Sequence, residues 1–433
     1  MCCAAWRKRK RSSKSSMKIL FLLPQIPYPP HSGGRIVTWN TVKRFAESCE
    51  VRVACLYHHP AELEDLDPVK AICHEVAAFP AYGKWSITPF LTCAVSPWPY
   101  KAHRFFNREL FDYVQRLARR ESFDVIHAQN FYTTPYVVGD ETCLKIHYKE
   151  NVEGNILLRY AKTSRNPLIK TAAWAEGRRT RRFEWQACKK FDQILTISPL
   201  DRDTLLRLDP SLPIRHQRPG VDLDAYPFLD EPSGPPNVVF TGTMSYYPNS
   251  DGALAFLQTT WPLIKQQVPN IRCTIVGADP PEAIRRMHGH NDICITGRVE
   301  HIREYLQSTH IYIVPLRVGG GIRLKILEAM ASGLAIVSTP IGCEGLEGKH
   351  GEHLLIAEMP DNFADAVIAL ANNHEKRLYI RNNARALAEN VYDWDIVIRS
   401  QLELYRSLLS RRRTHSEFPA SEQGKSAPAS GTA

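Results

Sequence analysis

The chain has 433 residues, of which 44% are hydrophobic, and its mean hydropathy is −0.30. This length exceeds what one core usually holds and favours two domains of about 150–200 residues each. No window contains the roughly 18 apolar residues that a membrane-spanning helix needs. The net charge is +10, but residues 1–16 carry six cations and no acid, so the rest of the chain carries only +4. Such a mildly basic body argues against a nucleic acid as the partner. The 11 cysteines are scattered without a C-x-x-C pair, which indicates reduced thiols in a cytoplasmic protein rather than a disulfide framework or a zinc site.

The N-terminus combines a basic segment with a short apolar run. We expect residues 1–16 to be a disordered tail, which is either a mis-assigned extension before Met17 or a contact with anionic lipid. The run Lys18–Leu23 has no cleavage site after it and indicates a strand rather than a signal peptide. A proline-rich loop then leads to Gly33-Gly34 and a helix, whereas a nicotinamide-binding turn would place G-x-G-x-x-G directly after the strand.

Strands alternate with helices through residues 17–217, which predicts a Rossmann-like α/β domain. The predicted strand Phe123–Ile126 brings His127 to the carboxyl edge of the sheet, where ligands bind in open parallel sheets. A lone histidine at the end of a strand is more often structural. Gln129, two residues later, can donate a hydrogen bond but cannot act as a base.

A long helix is predicted from about Leu168 to Phe191. It carries six cations interleaved with aromatic side chains: Arg178, Arg179, Arg181, Arg182, Lys189 and Lys190, with Trp174, Phe183 and Trp185. A run of charge on a long helix is usually a solvated face. The aromatic residues leave open a second interpretation, which is peripheral contact with an anionic membrane or a lipid-linked acceptor.

Residues 218–236 contain five prolines and are predicted to link the first domain to a second one. Strands and helices alternate again through residues 237–392, as a second doubly wound domain requires. Asp201 and Asp203 form a D-x-D tripeptide, but both fit the first turn of a helix. We therefore assign no metal site.

The most informative stretch runs from Ile311 to Pro340 and reads as a buried strand, three glycines, a short helix and a second buried strand. The helix is predicted to start near Ile322 and to stop at Gly333, which suits a left-handed cap. Arg323 and Lys325 then fall in its first turn, where cations are mildly unfavourable unless an anion binds between them and the glycine amides.

An acid completes this pattern. Glu328 lies among apolar residues in the second turn of the same helix and must find hydrogen-bond donors there. Sugar hydroxyls would serve that carboxylate, and a phosphate would serve the two cations and the glycine loop. The pattern therefore predicts a nucleotide, although an ordinary crossover helix with solvated charges would have the same apolar spacing.

The run LRVGGGIRLKILEAMASGLAIVSTPIGCEGL resembles the donor-sugar signature of glycosyltransferase family 4, in particular a branch with a GGG-x-R-x-K loop. The resemblance implies the GT-B fold, in which two Rossmann-like doubly wound domains face a cleft. It also implies that the helix at residues 393–410 returns to the first domain, and we expect residues 411–433 to be disordered. The family usually carries two glutamates separated by seven residues; the second matches Glu328, but the first falls on Gly320.

Further segments resemble the family in part. The loop before Gly33-Gly34, the segment that contains His127, and 149-KENVEGN-155 are similar to its donor and acceptor segments. The arginine–lysine pair that usually holds the donor diphosphate is absent, since Met244 and Asn249 stand at its positions, and we expect Arg323 and Lys325 to replace it. The residues that the resemblance assigns to the donor are Gly33, Gly34, Gly242, Gly277, Arg298, Val299, Gly320, Gly321, Arg323, Lys325 and Glu328. Those assigned to the acceptor side are Gln129, Glu150 and Asn151, with His127 and Glu328 at the reacting centre.

The implied activity is transfer of a sugar from a nucleoside-diphosphate sugar to a hydroxyl, with retention of configuration, in polysaccharide or glycolipid assembly. No cofactor or metal is expected, and the acceptor would be a saccharide or a lipid-linked saccharide at the inner face of the cell membrane. Two alternatives remain open. One is a nucleotide-sugar epimerase or hydrolase on the same fold, and the other is a non-catalytic, membrane-associated protein that binds nucleotide-sugars.

Overall fold

The computed structural model describes residues 16–83, 88, 91–93, 96–138, 142–164 and 166–417. The expectations for residues 1–15 and 418–433 lie outside this described part of the chain. Two parallel sheets organise the described residues, one formed by strands before residue 217 and the other by strands after residue 236.

The first sheet has seven parallel strands in the order β3-β2-β1-β4-β5-β6-β7. The strands are β1 Lys18–Leu23, β2 Glu50–Tyr57, β3 Glu75–Pro80, β4 Val125–Gln129, β5 Leu144–Lys149, β6 Gln193–Thr196 and β7 Ile214–His216. The helices of this part are α1 Gly33–Phe45, α2 Leu66–Ile72, α3 Tyr100–Arg104, α4 Arg108–Arg120, α5 Glu153–Thr163, α6 Pro167–Cys188 and α7 Pro199–Leu208. The central strands are buried along nearly their whole length, because helices cover both faces of a doubly wound parallel sheet.

The second sheet has six parallel strands in the order β10-β9-β8-β11-β12-β13. Its strands are β8 Asn237–Thr241, β9 Arg272–Val276, β10 Ile293–Gly297, β11 Ile311–Val314, β12 Ala335–Ser338 and β13 Leu355–Ile356. The helices are α8 Tyr247–Ala255, α9 Trp261–Gln267, α10 Glu282–Arg285, α11 Ile302–Gln307, α12 Leu324–Ala331, α13 Asp361–Asn372 and α14 His374–Leu387. The predicted alternation of strands and helices is thus present in both halves.

Two segments of the chain cross between the sheets side by side. The amide of Val221 donates to the carbonyl of Tyr392 over 2.6 Å, and the amide of Trp394 donates back to Val221 over 3.3 Å. Gly220 packs directly on the Trp394 indole, where a Cβ would lie 2.3 Å from Cδ2, so this crossing requires a residue without a side chain. The two hydrogen-bonded segments form a paired crossing between the domains.

The last helix, α15, spans Trp394–Glu417 and packs on α1 of the first domain. Tyr405 is fully buried there. The helix continues seven residues beyond residue 410, so the expected disorder from residue 411 is wrong for residues 411–417. Among the residues that the structure describes, no helix combines the length and the apolar character needed to cross a membrane.

Candidate active site

The carboxyl ends of four neighbouring strands of the second sheet meet at one edge. Gly242 follows β8, Gly277 follows β9, Arg298 and Val299 follow β10, and the glycine loop follows β11. Gly277 approaches Gly242 so closely that a Cβ would lie 1.8 Å from the Gly242 carbonyl oxygen. A glycine is therefore required at residue 277 for the first two loops to pack together.

The glycine loop leads into α12 in nearly the predicted way. The helix begins at Leu324, two residues later than predicted, and Arg323 is its N-cap residue. Gly321 has a φ of 76°, in the left-handed region that favours glycine. The helix ends as the sequence predicts, because Gly333 has a φ of 64° and donates to the carbonyl of Met330.

Lys325 reaches from α12 to the end of β8. Its Nζ donates to the carbonyl oxygen of Thr241 over 2.5 Å and to Oδ1 of Asn249 over 3.0 Å. Burial is the main cause that lowers the pKa of Lys325 to about 7; Glu328 opposes this shift and Arg323 adds to it. Asn249, which stands where the family has a lysine, thus holds a lysine from another helix at the same loop.

Glu328 lies behind Lys325 and is hydrogen-bonded to Tyr226. Burial raises the pKa of this carboxyl, while the Tyr226 hydroxyl and the Lys325 ammonium act to lower it. The carboxylate therefore has one donor from the linker between the two sheets and a cation one turn away on its own helix. Such a group can accept hydrogen bonds from ligand hydroxyls without losing its orientation.

Arg323 folds back over its own loop. Its Nη1 donates to the carbonyl oxygens of Gly320 and Gly321, and its Nη2 is buried without a hydrogen-bond partner among the described residues. Burial lowers the pKa of this guanidinium, and the nearby Arg159 lowers it further. A buried donor without an acceptor is costly, and an anionic ligand at the loop would remove that cost.

Arg298 and Val299 lie at the far end of this edge. The Arg298 side chain is 80% exposed and its nearest carboxylate is Asp279, with 4.0 Å between the charged atoms. Val299 is partly exposed. The structure therefore brings Arg298 to the rim of the edge rather than into contact with Lys325 or Glu328.

The first domain contributes polar residues at the carboxyl ends of β4 and β5. Gln129 donates from Nε2 to Oε1 of Glu150 over 2.7 Å. Glu150 also lies against the start of α1, where a Cβ on Gly34 would be 3.0 Å from its Oε2. Burial raises the pKa of Glu150, and the hydrogen bonds from Gln129 and Asn130 oppose this shift. Gln129 and Glu150 thus form one polar cluster, in which Gln129 is buried and Glu150 is partly exposed.

His127 lies beneath this cluster and contacts it only through Gln129. Strand β4 extends to Gln129, so His127 lies in the middle of the strand, in register with Phe21 of β1. The imidazole is completely buried; its Nδ1 pairs with the Tyr405 hydroxyl at 2.8 Å, and its Nε2 lies 3.4 Å from Oε1 of Gln129. Burial lowers the pKa of His127 to about 3. The expectation that His127 contacts the sugar is therefore corrected: in this structure it is a core residue beneath α15.

The two domains touch at the glycine loop. A Cβ on Gly321 would lie 2.9 Å from Oδ1 of Asn151, and one on Gly33 would lie 3.7 Å from Leu324. Arg159 of α5 donates from Nη1 to the carbonyl oxygen of Gly319 over 3.3 Å. Gly33, Asn151 and Arg159 of the first domain therefore face the glycine loop and the start of α12. Within the described part of the chain, no group of three or more His, Cys, Asp or Glu side chains is arranged to hold a metal.

Sequence reasoning missed three contributors to this site. Tyr226 lies in the linker, Arg159 is one of many cations in its part of the chain, and Thr241 offers only a backbone carbonyl. The sequence signal for Tyr226 is an aromatic residue with a hydroxyl group in a proline-rich linker. The other two residues belong to no motif, because only the folded chain brings them to the loop.

The chain has two Rossmann-like doubly wound domains that face a cleft, and α15 returns to the first domain. This architecture is the GT-B fold. The model of the family described as "Glycosyl transferases group 1" matches residues 235–373. This match covers most of the second domain, which contains the signature that the sequence indicated.

Several known proteins are similar to this chain. An uncharacterized 44.6 kDa protein in the cps region of Klebsiella pneumoniae is 31% identical over 165 residues, which are 36% of this chain and 42% of that protein. A phosphatidyl-myo-inositol mannosyltransferase of Mycobacterium tuberculosis is 26% identical over 205 residues, or 44% of this chain and 53% of that protein. The chain thus spans about half the length, or less, of these curated relatives.

Solved structures resemble the whole fold. A sucrose-phosphate synthase from Thermosynechococcus elongatus superposes with a TM-score of 0.65 at 14% identity and covers 91% of this chain and 100% of its own. Anabaena Alr3699/HepE in complex with UDP gives a TM-score of 0.63 at 15% identity, with 90% and 100% covered. At such low identity these likenesses show the fold alone.

Proposed function

We propose that this protein transfers a glycosyl group from a nucleoside-diphosphate sugar to a hydroxyl of a saccharide or lipid-linked acceptor, with retention of configuration. The observation that carries the proposal is the pair formed by Lys325 and Glu328 at the carboxyl edge of the second sheet. Lys325 is only partly exposed at the loops of Gly242 and the glycine run, and Glu328 lies one turn behind it. A partly buried cation beside a partly buried acid fits a phosphate next to a ribose.

The chemistry follows from where charge develops. When the glycosidic bond to the donor breaks, negative charge accumulates on the departing diphosphate, and fixed cations at that point lower the barrier. Lys325 and Arg323 would stabilise the diphosphate, with Gly33 and Gly34 facing it from the first domain. A diphosphate oxygen can accept the proton of the acceptor hydroxyl on the same face, so retention requires no nucleophile from the protein. Glu328 would hold the ribose through its hydroxyls.

The acceptor would lie against the polar cluster of the first domain. Glu150 and Asn151 are partly exposed and offer hydrogen-bonding groups that suit the hydroxyls of a saccharide. Gln129 is buried beside Glu150 and would orient that carboxylate through its amide. The mannosyltransferase relative acts on phosphatidyl-myo-inositol, and its lipid-linked acceptor supports an acceptor of that kind here. The relative in the cps region and the UDP complex of Alr3699/HepE likewise support polysaccharide assembly and a uridine-type donor.

The test measures release of nucleoside diphosphate from a panel of nucleotide-sugars, with and without saccharide and lipid-linked acceptors. We expect release that depends on acceptor and a glycosylated product with the anomeric configuration of the donor. An epimerase or hydrolase would consume the donor equally well without an acceptor. Acceptor-independent consumption would therefore contradict the proposal and favour that alternative.

A non-catalytic binding protein is the second candidate. The observation that favours it is the position of His127, whose burial removes the expected contact with the sugar. Such a protein would be stabilised against thermal unfolding by a nucleotide-sugar but would turn over none of them. Turnover by the purified chain, abolished in Glu328→Ala, would exclude this candidate.

We also propose peripheral contact with an anionic membrane, with the protein at its cytoplasmic face. The contact surface is the α5–α6 hairpin, which comprises residues 153–190 and carries ten cations and three acids. Large apolar side chains are exposed on it, with Leu168 at 80%, Tyr160 at 54% and Trp174 at 50%. A cavity of about 590 Å³ opens between its helices, lined on the cationic side by Lys162, Lys170 and Arg181. Exposed apolar residues framed by cations match the interface of an anionic bilayer.

Sedimentation with liposomes tests this contact. We expect binding to vesicles that contain anionic phospholipid at low salt, less binding at high salt, and little binding to neutral vesicles. Binding that is insensitive to both salt and lipid charge would contradict the proposed surface.

A further inference from the structure

The glycine loop of the second domain is pressed against one segment of the first domain. Asn151 precedes α5 and meets Gly321, and Arg159 on α5 meets both Gly319 and Gly320. The residues involved are about 160 positions apart in sequence, so only domain closure brings them together. A side chain at residue 321 would meet Asn151 at 2.9 Å, and one at residue 320 would crowd the guanidinium of Arg159 at 3.1 Å. The run of glycines therefore has a role beyond access for a ligand.

The position of Arg159 is the informative detail. Its Nη1 donates to the carbonyl oxygen of Gly319 and lies 3.1 Å from the place where a Cβ on Gly320 would be. Position 320 is therefore where a cation from the opposite domain comes closest to the loop. Arg159 can approach the loop this closely because residue 320 has no side chain.

Arg159 is also electrically close to the other cations. It lowers the pKa of Arg323, and Arg323 in turn lowers the pKa of Lys325. Three cations that repel one another have thus been gathered at one loop. Arg323 also carries a buried Nη2 that has no partner within the described chain. Like charges held together in this way are stabilised when a multivalent anion binds among them.

We infer that Arg159 is a third cation of the donor pyrophosphate site, contributed by the first domain across the cleft. This inference rests on the proposed function. The planar guanidinium has five N–H donors, so it can bond Gly319 and a phosphate oxygen together. Because Arg159 belongs to the first domain, the pyrophosphate is fully surrounded only when the domains are closed. Arg159 thus connects α5 of the hairpin with the glycine loop.

The experiment measures binding of UDP, GDP and ADP to the full-length protein by calorimetry, together with the corresponding free nucleosides. For the nucleoside diphosphate that binds best, Arg159→Ala should weaken affinity about tenfold, as expected for loss of a charge-assisted contact. Affinity for the free nucleoside should stay unchanged, because Arg159 would contact the nucleotide only at its phosphates. Arg159→Lys should recover part of the loss.

The matched control is Arg119→Ala, which removes an exposed cation of α4 and should leave affinity for the diphosphate unchanged. Thermal unfolding of each free variant checks that the fold is intact. Unchanged diphosphate affinity in Arg159→Ala, with a clear loss in Lys325→Ala, would overturn the inference and leave the proposed function standing. If neither Lys325→Ala nor Glu328→Ala altered nucleotide binding, the proposed function itself would fail.

Discussion

The glycine loop of the second domain and the α5–α6 hairpin of the first domain both carry cations, but their exposure to solvent differs. At the loop, Arg323 and Lys325 are only partly exposed, and burial lowers their pKa values. On the hairpin, cations such as Lys170 and Arg182 are exposed beside exposed apolar residues. Beyond residue 16 the chain carries +4, and the hairpin alone carries +7, so the remainder is slightly acidic.

The difference shows what each region can do. A desolvated cation costs free energy until a ligand supplies the opposite charge, so the loop stores binding energy for a specific anion. A solvated cation costs little and acts through a field that salt screens within about 10 Å at 0.1 M. Two of the three acids of the hairpin pair with cations outside it, Glu153 with Lys101 and Glu184 with the buried Lys149. The third, Glu176, lies 3.8 Å from Arg179 within the hairpin. The hairpin therefore presents net positive charge to its surroundings.

The largest effect is expected from Glu328→Ala, which removes the acid of α12 behind the glycine loop. Tyr226 and Lys325 would lose their buried partner, and the ribose would lose its acceptor. We expect kcat/KM to fall by about 100-fold or more, corresponding to roughly 2.7 kcal/mol, mainly through KM for the donor. Steady-state kinetics measures this, with Glu375→Ala as the control, because Glu375 is an exposed acid of α14 in the same domain. Near-normal kinetics in Glu328→Ala would refute the role in donor binding.

Lys325→Met tests whether Lys325 lowers the stability of the free protein while it strengthens binding of the nucleoside diphosphate. The pKa of Lys325 in the folded state is about 7, below the usual 10.5, so the unfolded chain binds the proton more tightly between these values. The free energy of unfolding should therefore rise with pH through this window, and the cost of the buried cation is greatest below pH 7. We expect Lys325→Met to raise the melting temperature of the free protein most at pH 6, and to weaken binding of nucleoside diphosphate about tenfold or more.

The measurement is a thermal-unfolding series from pH 6 to pH 9 on the free protein, paired with calorimetric titration of nucleotide. Lys376→Met provides a control, because Lys376 is an exposed lysine of α14 in the same domain. A lower melting temperature for Lys325→Met at every pH would show that this lysine stabilises the free fold, contrary to the comparison drawn above.

On the hairpin a smaller and salt-dependent effect is expected. Replacing Leu168 by Ser and Trp174 by Ala removes two exposed apolar side chains, and binding to anionic liposomes should fall about tenfold because buried apolar area is lost at the interface. Thermal stability should change little, because exposed residues contribute little to folding. Tyr379→Ser removes an exposed aromatic residue of the second domain and should leave liposome binding intact; an equal loss in that control would argue against a localised surface.

The smallest effect on turnover is expected from His127→Phe. The ring keeps its packing between Phe21 and Tyr148 but loses its bond to the Tyr405 hydroxyl, which should cost about 1–3 kcal/mol of stability. The folded-state pKa of about 3 lies below the usual 6.5, so the wild type should lose stability as pH falls from 6.5 towards 3, and the variant less so. We expect kcat within about threefold of the wild type; a loss of 100-fold without unfolding would return His127 to the reacting centre.

The sequence indicated the second domain in more detail than the first. The run from Ile311 to Pro340 predicted strand, loop, helix and cap almost residue by residue, because apolar periodicity and glycines act locally. The prediction for His127 was wrong because strand β4 runs three residues further than the apolar run Phe123–Ile126 suggested. A shift of that size moves a residue from the edge of a sheet into its interior, and no local pattern distinguishes the two positions.

The sequence by itself determined the α/β class and the alternation of strands and helices in two halves, because these depend on short-range apolar patterns. It also pointed to the glycine loop with Arg323, Lys325 and Glu328, because their chemistry lies within one loop and one helix. Only the tertiary structure decided that Asn249 holds Lys325, that Tyr226 holds Glu328 and that Arg159 meets Gly319. These pairs are separated by between 76 and 160 positions and are joined only by domain closure or by packing of distant loops. Long-range contacts of this kind leave no mark on the local pattern, because each residue alone is compatible with many partners.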